Sequence, residues 1–205
     1  MTASLDADAC AAPPRHGASR PWADLAVEIA GRIGSADFPR GDLAELRRMD
    51  PDSPDAPAFW RLLAEQDLLG SPSVESRWAL ILHGIALMTP TSAAGGGSAT
   101  AHDGLNPVGR ALYLGGDPHR TTALYAEARL GRLLTARGPM LRGLLARTFR
   151  MLGSKGVSFN WREMAQFILS ADLDEVRAEQ GRHRIARAYF ETARRSSFAD
   201  GERQD

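Results

Sequence analysis

The sequence predicts an all-α fold, a two-subdomain helical bundle, and three observations carry that prediction. Apolar residues recur at three- and four-residue spacing through most of the chain. No segment sustains a two-residue alternation rich in β-branched side chains. Proline- and glycine-rich breaks separate the periodic segments at lengths suited to short helices.

Residues 1–20, with Pro13 and Pro14 and no periodic pattern, are read as a flexible N-terminal tail. A first helix starts near Pro21, with Trp22, Leu25, Ile29 and Ile33 along one side. Asp42 is expected to cap a second helix carrying Leu43, Leu46 and Met49, which must stop before Pro51. A proline- and aspartate-rich connection over 50–57 leads to a third helix over 58–69, with Phe59, Leu62, Leu63 and Leu69 on its apolar side. Residues 75–89 are the most apolar segment and read as the central helix of an N-terminal helical subdomain, 21–104. That subdomain ends in a Gly/Ala/Ser-rich loop over 90–104, too poor in large apolar groups to repay the entropy of ordering.

A C-terminal basic helical bundle is expected over 105–195. It comprises a short helix at 108–114, a linker at 115–119, and helices over 121–136, 139–153, 160–169 and from 173 to Phe190 or beyond. Residues 196–205 are read as a flexible tail. No apolar run approaches the roughly 18 residues that cross a bilayer, and residues 1–20 hold Asp6 and Asp8 in place of an apolar export core. The expectation is a cytoplasmic protein without a membrane partner. The single cysteine, Cys10, supports neither an internal disulfide nor a multi-cysteine zinc site.

Net charge is zero, but its distribution is polar. Residues 1–104 hold 8 basic and 14 acidic side chains, a balance of −6, and residues 105–205 hold 17 and 11, a balance of +6. Between 105 and 170 the count is 10 basic against 3 acidic, and nine of the ten are arginine. Local field rather than total charge steers a partner, and arginine's planar donor fork suits phosphate.

Counting about 100° per residue along the 139–153 helix, Leu141, Leu144, Leu145, Thr148, Phe149 and Leu152 form one stripe, with Arg142, Arg147 and Arg150 roughly opposite. On the preceding helix Leu130, Leu133 and Leu134 face inward, while Arg129 and Arg132 lie one turn apart. Only Glu127 and Glu163 are acidic between 124 and 170, so these arginines would repel one another unless counterions or phosphates covered them. Solubilisation is the competing explanation for such a face. Earlier in the chain Arg47 and Arg48 end a short helix, where the dipole alone is sufficient reason for one of them. Arg61 and Arg77 are expected to pair with nearby carboxylates.

No catalytic constellation emerges, and nothing calls for a metal or cofactor. The histidines His16, His83, His102, His119 and His183 form neither HExxH nor a compact ligand cluster. His83 reads as a hydrogen-bonded core residue, whereas His102 and His119 lie in loops within reach of a phosphate. The glycine run at 95–97 lacks the nucleotide-loop pattern. Trp22, Trp60, Trp78 and Trp161 sit within apolar periodicity and read as core.

Four short islands then carry a family resemblance: LAELRR at 43–48, APAFWRL at 56–62, VGRAL at 108–112, and EARLGRLL at 127–134 leading through 141–150 to Asn160 and Trp161. In order and spacing they resemble the CasB-type small subunit of the type I-E CRISPR surveillance complex, Cascade, over roughly 22–190. The resemblance implies a non-catalytic helical subunit that pairs with a second copy, joins the other Cascade subunits, and contacts guide RNA and the opened target DNA of the R-loop. Matching positions in the basic islands are Arg47, Arg48, Arg110 and Arg129. Arg142, Arg147 and Arg150 fall in the family's basic helix region, and Arg132 completes the expected nucleic-acid-binding set. The insertion at 90–104, the longer N-terminal tail and Gly131 within a family helix depart from the pattern.

The expected function is therefore R-loop stabilisation through arginine contacts to nucleic-acid backbones, which protein contacts can tip because strand exchange is nearly balanced. Replacing Arg129, Arg142 and Arg147 together is expected to spare the fold. An acidic first half and a basic second half also suggest head-to-tail pairing of two copies. The alternatives are a standalone helical nucleic-acid-binding regulatory protein, and a structural protein-interaction subunit of another assembly.

Overall fold

A computed structural model describes residues 22–90 and 100–201. The expected tail at 1–20 with Cys10, residues 91–99 of the loop, and residues 202–205 lie outside the described residues. Among the described residues the fold is all-α, with nine helices and one isolated bridge, His102 to Phe159. The helices are α1 (Trp22–Ile33), α2 (Arg40–Arg48), α3 (Pro57–Glu65), α4 (Pro72–Met88), α5 (Val108–Leu114), α6 (Glu127–Thr135), α7 (Gly138–Gly153), α8 (Trp161–Ser170) and α9 (Glu175–Gly201).

α4 is the axis of the core. Every residue from Trp78 to Ala86 is buried, so it must be surrounded rather than laid on a surface. α2, α3, α7 and α8 all pack against it. α1 lies on α8, while α9 packs against α5 and α8. At the centre, Phe149, Phe159 and Trp161 stack with centroids 4.9 to 6.2 Å apart. This aromatic cluster presses on Gly84, where an added Cβ would meet the rings of Phe149 and Trp161 at 2.6 to 2.7 Å. One continuous set of buried apolar residues runs from Leu25 to Tyr189, across the subdomain boundary expected at 104.

Several element ends differ from the sequence reading, for identifiable reasons. Asp42 lies inside α2, which starts at Arg40, and its carboxylate takes Arg61 instead of a helix cap. α3 ends at Glu65 because Asp67 turns at φ 54°, sending Leu68 into the core and leaving Leu69 exposed. Trp60 sits on the shoulder of α3, 40% exposed, and corrects its reading as core. α6 begins at Glu127, not 121. Before it, Leu124 and Tyr125 donate their backbone N–H groups to the Tyr113 and Leu112 carbonyls at the end of α5.

Residues 100–104, read as part of the loop, are held in place. Ala101 is fully buried; its carbonyl accepts the Phe159 N–H and the Asp103 N–H donates to the Phe159 carbonyl, which pairs His102 with Phe159 as a bridge. α9 continues to Gly201, so residues 196–201 of the expected C-terminal tail are helical. No helix among the described residues is long and apolar enough to cross a membrane.

Candidate nucleic-acid interface

The eight arginines expected at the interface divide by what their guanidinium groups reach. Arg47 leaves the end of α2 and crosses to α4, where Nε donates to the Ala86 carbonyl at 2.8 Å and Nη2 to that of Thr89. It therefore serves the open carbonyls at the C-terminus of α4. Burial lowers its pKa from the ordinary arginine value. Arg142 is likewise committed, with a side chain only 19% exposed. Its Nε donates to Asp52 Oδ1 at 2.7 Å, Nη2 to the Pro51 carbonyl at 2.8 Å and Nη1 to the Ser76 carbonyl at 3.1 Å. This corrects the placement of Arg142 on a solvent face. On α7 alone it opposes the core stripe, but the neighbouring connection over 50–57 folds across it.

Arg48, Arg110, Arg129, Arg132, Arg147 and Arg150 are exposed, and none has a hydrogen-bond or ion-pair partner among the described residues. α7 buries Leu141, Leu145, Thr148, Phe149 and Leu152 while exposing Arg147 and Arg150, as the periodicity required. α6 buries Leu130 and Leu133 and exposes Arg129 and Arg132. Arg48 and Arg150 belong to one end of the molecule. Arg47 fixes α2 to the end of α4, and Gly153 of α7 lies against the Leu87 backbone.

The remaining cations of the basic segment divide between those tied to the fold and those without a partner among the described residues. Arg120 donates to the Leu114 carbonyl at 2.7 Å, closing α5. Arg137 bonds the last carbonyls around α6 and Glu175 of α9. Arg162 pairs with Asp24 on α1. Arg110, Arg129, Arg132, Arg147, Arg150 and Lys155 remain, six of the ten basic residues counted between 105 and 170. Lys155 is the only lysine in the chain, so the free charge is almost all guanidinium.

His83 and His102 hold backbone groups in place. His83 donates from Nδ1 to the Leu46 carbonyl at 3.0 Å, and burial holds its pKa below the ordinary value, with Arg150 adding to the effect. His102, expected in a phosphate-accessible loop, instead accepts the Trp161 backbone N–H at Nδ1, 3.1 Å away, alongside the Asn160 cap of α8. Burial lowers its pKa as well. Arg61 pairs with Asp42 as expected, whereas Arg77 takes the Ser73 and Ala171 carbonyls in place of a carboxylate. Among the described residues no group of three or more His, Cys, Asp or Glu could hold a metal ion.

The family model described as CRISPR-associated protein Cse2 matches residues 42–190. The chain belongs to the Cse2 family. The match covers all four sequence islands and every arginine of the expected interface. No curated protein matches the chain, and no solved structure matches it. In this Cse2-family chain α1 and the last turns of α9 fall outside the matched span.

Proposed function

We propose that the chain is a non-catalytic small subunit of a type I-E CRISPR Cascade complex. In this reading it stabilises the R-loop by holding guide RNA and target DNA through their backbones. The supporting observation is the set of six exposed cations between 105 and 170 that have no partner among the described residues. Arg129, Arg132, Arg147 and Arg150, with Arg110 and Arg48, contact phosphates and displace counterions. They need no base selectivity, since pairing with the guide supplies it. Arg47 and Arg142 act indirectly by setting the positions of α2 and α7.

The deciding experiment replaces Arg129, Arg132, Arg147 and Arg150 by alanine in the assembled complex and follows target-DNA dissociation across a salt series. Dissociation accelerates, and the salt slope falls by up to about one per phosphate contact removed. Unchanged dissociation at every salt concentration rejects the reading. A second copy of the chain is the proposed neighbour, with the acidic first half of one facing the basic second half of the other. Charge reversal of the exposed Asp37, Asp55 and Asp67 then weakens self-association.

A further inference from the structure

α9 carries a second basic face, which the arginines of α6 and α7 do not include. Counting about 100° per residue from Phe190, Ala178, Gly181, Arg182, Ile185 and Tyr189 form a buried stripe on α5 and α8. Roughly opposite, within an arc of about 140°, lie His183, Arg184, Arg187, Phe190, Glu191, Arg194, Arg195 and Phe198, all exposed. Thr192, Ala193 and Ser196 stay half-buried, so the helix keeps the same orientation past the family-matched span.

Two features of this face need explaining. Phe190 is 45% exposed and Phe198 66% exposed, although the stripe ending in Tyr189 already docks the helix. Arg187, Arg194 and Arg195 have no partner among the described residues, and Glu191 between them pairs with none of them. Phe190 packs edge-on against Tyr189, with centroids 5.3 Å apart, and Arg194 stands between the two phenylalanines along the face. Alternating aromatic and guanidinium groups match a single nucleic-acid strand, whose bases offer π-faces and whose phosphates offer charge. A duplex hides those faces in its own stack.

We propose that Arg187, Phe190, Arg194 and Phe198 form a stacking surface for single-stranded nucleic acid, with Arg195 at its edge. The inference rests on the nucleic-acid reading above and adds a second contact, selective for unpaired strands. Phe190 and Phe198 are about 12 Å apart along the axis.

The test uses the full chain, a labelled oligo-dT and a duplex of equal length, with folding of each variant checked by circular dichroism. F190A/F198A weakens oligo-dT binding by about thirtyfold or more and leaves duplex binding unchanged, while F190Y/F198Y retains it. R129A/R132A/R147A/R150A weakens both ligands. Unchanged oligo-dT binding by F190A/F198A overturns the stacking surface, and the broader reading stands if the four-arginine variant still loses affinity. Equal losses on both ligands also overturn it. So does unchanged oligonucleotide binding with lost incorporation into the guide-loaded complex, which assigns the face to a protein. Absence of oligo-dT binding by the unaltered chain overturns the inference, while the nucleic-acid reading is decided separately by target-DNA dissociation from the assembled complex.

Discussion

Arg142 Nε donates to Asp52 Oδ1 at 2.7 Å, joining α7 to the connection between α2 and α3 across 90 residues of sequence. Asp52 is 62% exposed, so the ion pair alone contributes little. The two carbonyls that the same guanidinium satisfies, at Pro51 and Ser76, add to the tie. Arg142→Ala is expected to lower stability by about 1–3 kcal/mol, measured by urea unfolding. Asp52→Asn costs less, because both carbonyl bonds survive. Equal stability of Arg142→Ala and the parent chain contradicts the structural role.

Arg147→Ala and Arg129→Ala are the matched controls. Both side chains are exposed without partners among the described residues, so each change stays within about 0.5 kcal/mol of the parent. The arginines therefore separate into two classes in one unfolding series. Destabilisation by Arg147→Ala as large as that of Arg142→Ala would erase the distinction.

Two glycines provide a test of packing. An added Cβ at Gly109 would collide with the Ile185 carbonyl and lie 2.6 Å from the Tyr189 backbone nitrogen, where α5 meets α9. Backbone cannot yield as a side chain can, so Gly109→Ala costs about 1–3 kcal/mol. Gly131 in α6 faces open space, and Gly131→Ala stabilises by about 0.5–1 kcal/mol through lost chain entropy. Thermal melts of both variants, shifted in opposite directions, bear this out.

Acid weakens the fold through its histidines. Burial lowers the pKa of His83 and of His102 from the ordinary 6.5. As pH falls below that value the unfolded chain takes up protons first, and stability is lost. Glu163 has the opposite sign. Burial raises its pKa from 4.5, so at lower pH its protonation favours the fold and blunts the loss. Tm should fall between pH 7 and pH 5, and His102→Asn, which keeps an acceptor for the Trp161 N–H, should flatten part of the decline. A Tm independent of pH over that range excludes this linkage.

The helical class, the central apolar segment and the basic faces of α6 and α7 were legible because period and charge are local properties. Leu141, Leu145, Phe149 and Leu152 of α7 are buried where the 3.6-residue spacing puts them. Element ends were less legible. The start of α6 depends on Leu124 and Tyr125 bonding to α5, and the end of α3 on the left-handed turn at Asp67.

The chain by itself determined which faces of its helices are apolar and where its arginines concentrate. Only the tertiary structure decided which of those arginines are free. A guanidinium sits on a long, flexible stem and can leave the face on which its Cα lies. Arg47 and Arg142 do so, because open carbonyls at the end of α4 and in the connection over 50–57 come within reach once the helices pack. Arg129, Arg132, Arg147 and Arg150 meet no such carbonyl or carboxylate among the described residues, so their charge stays at the surface.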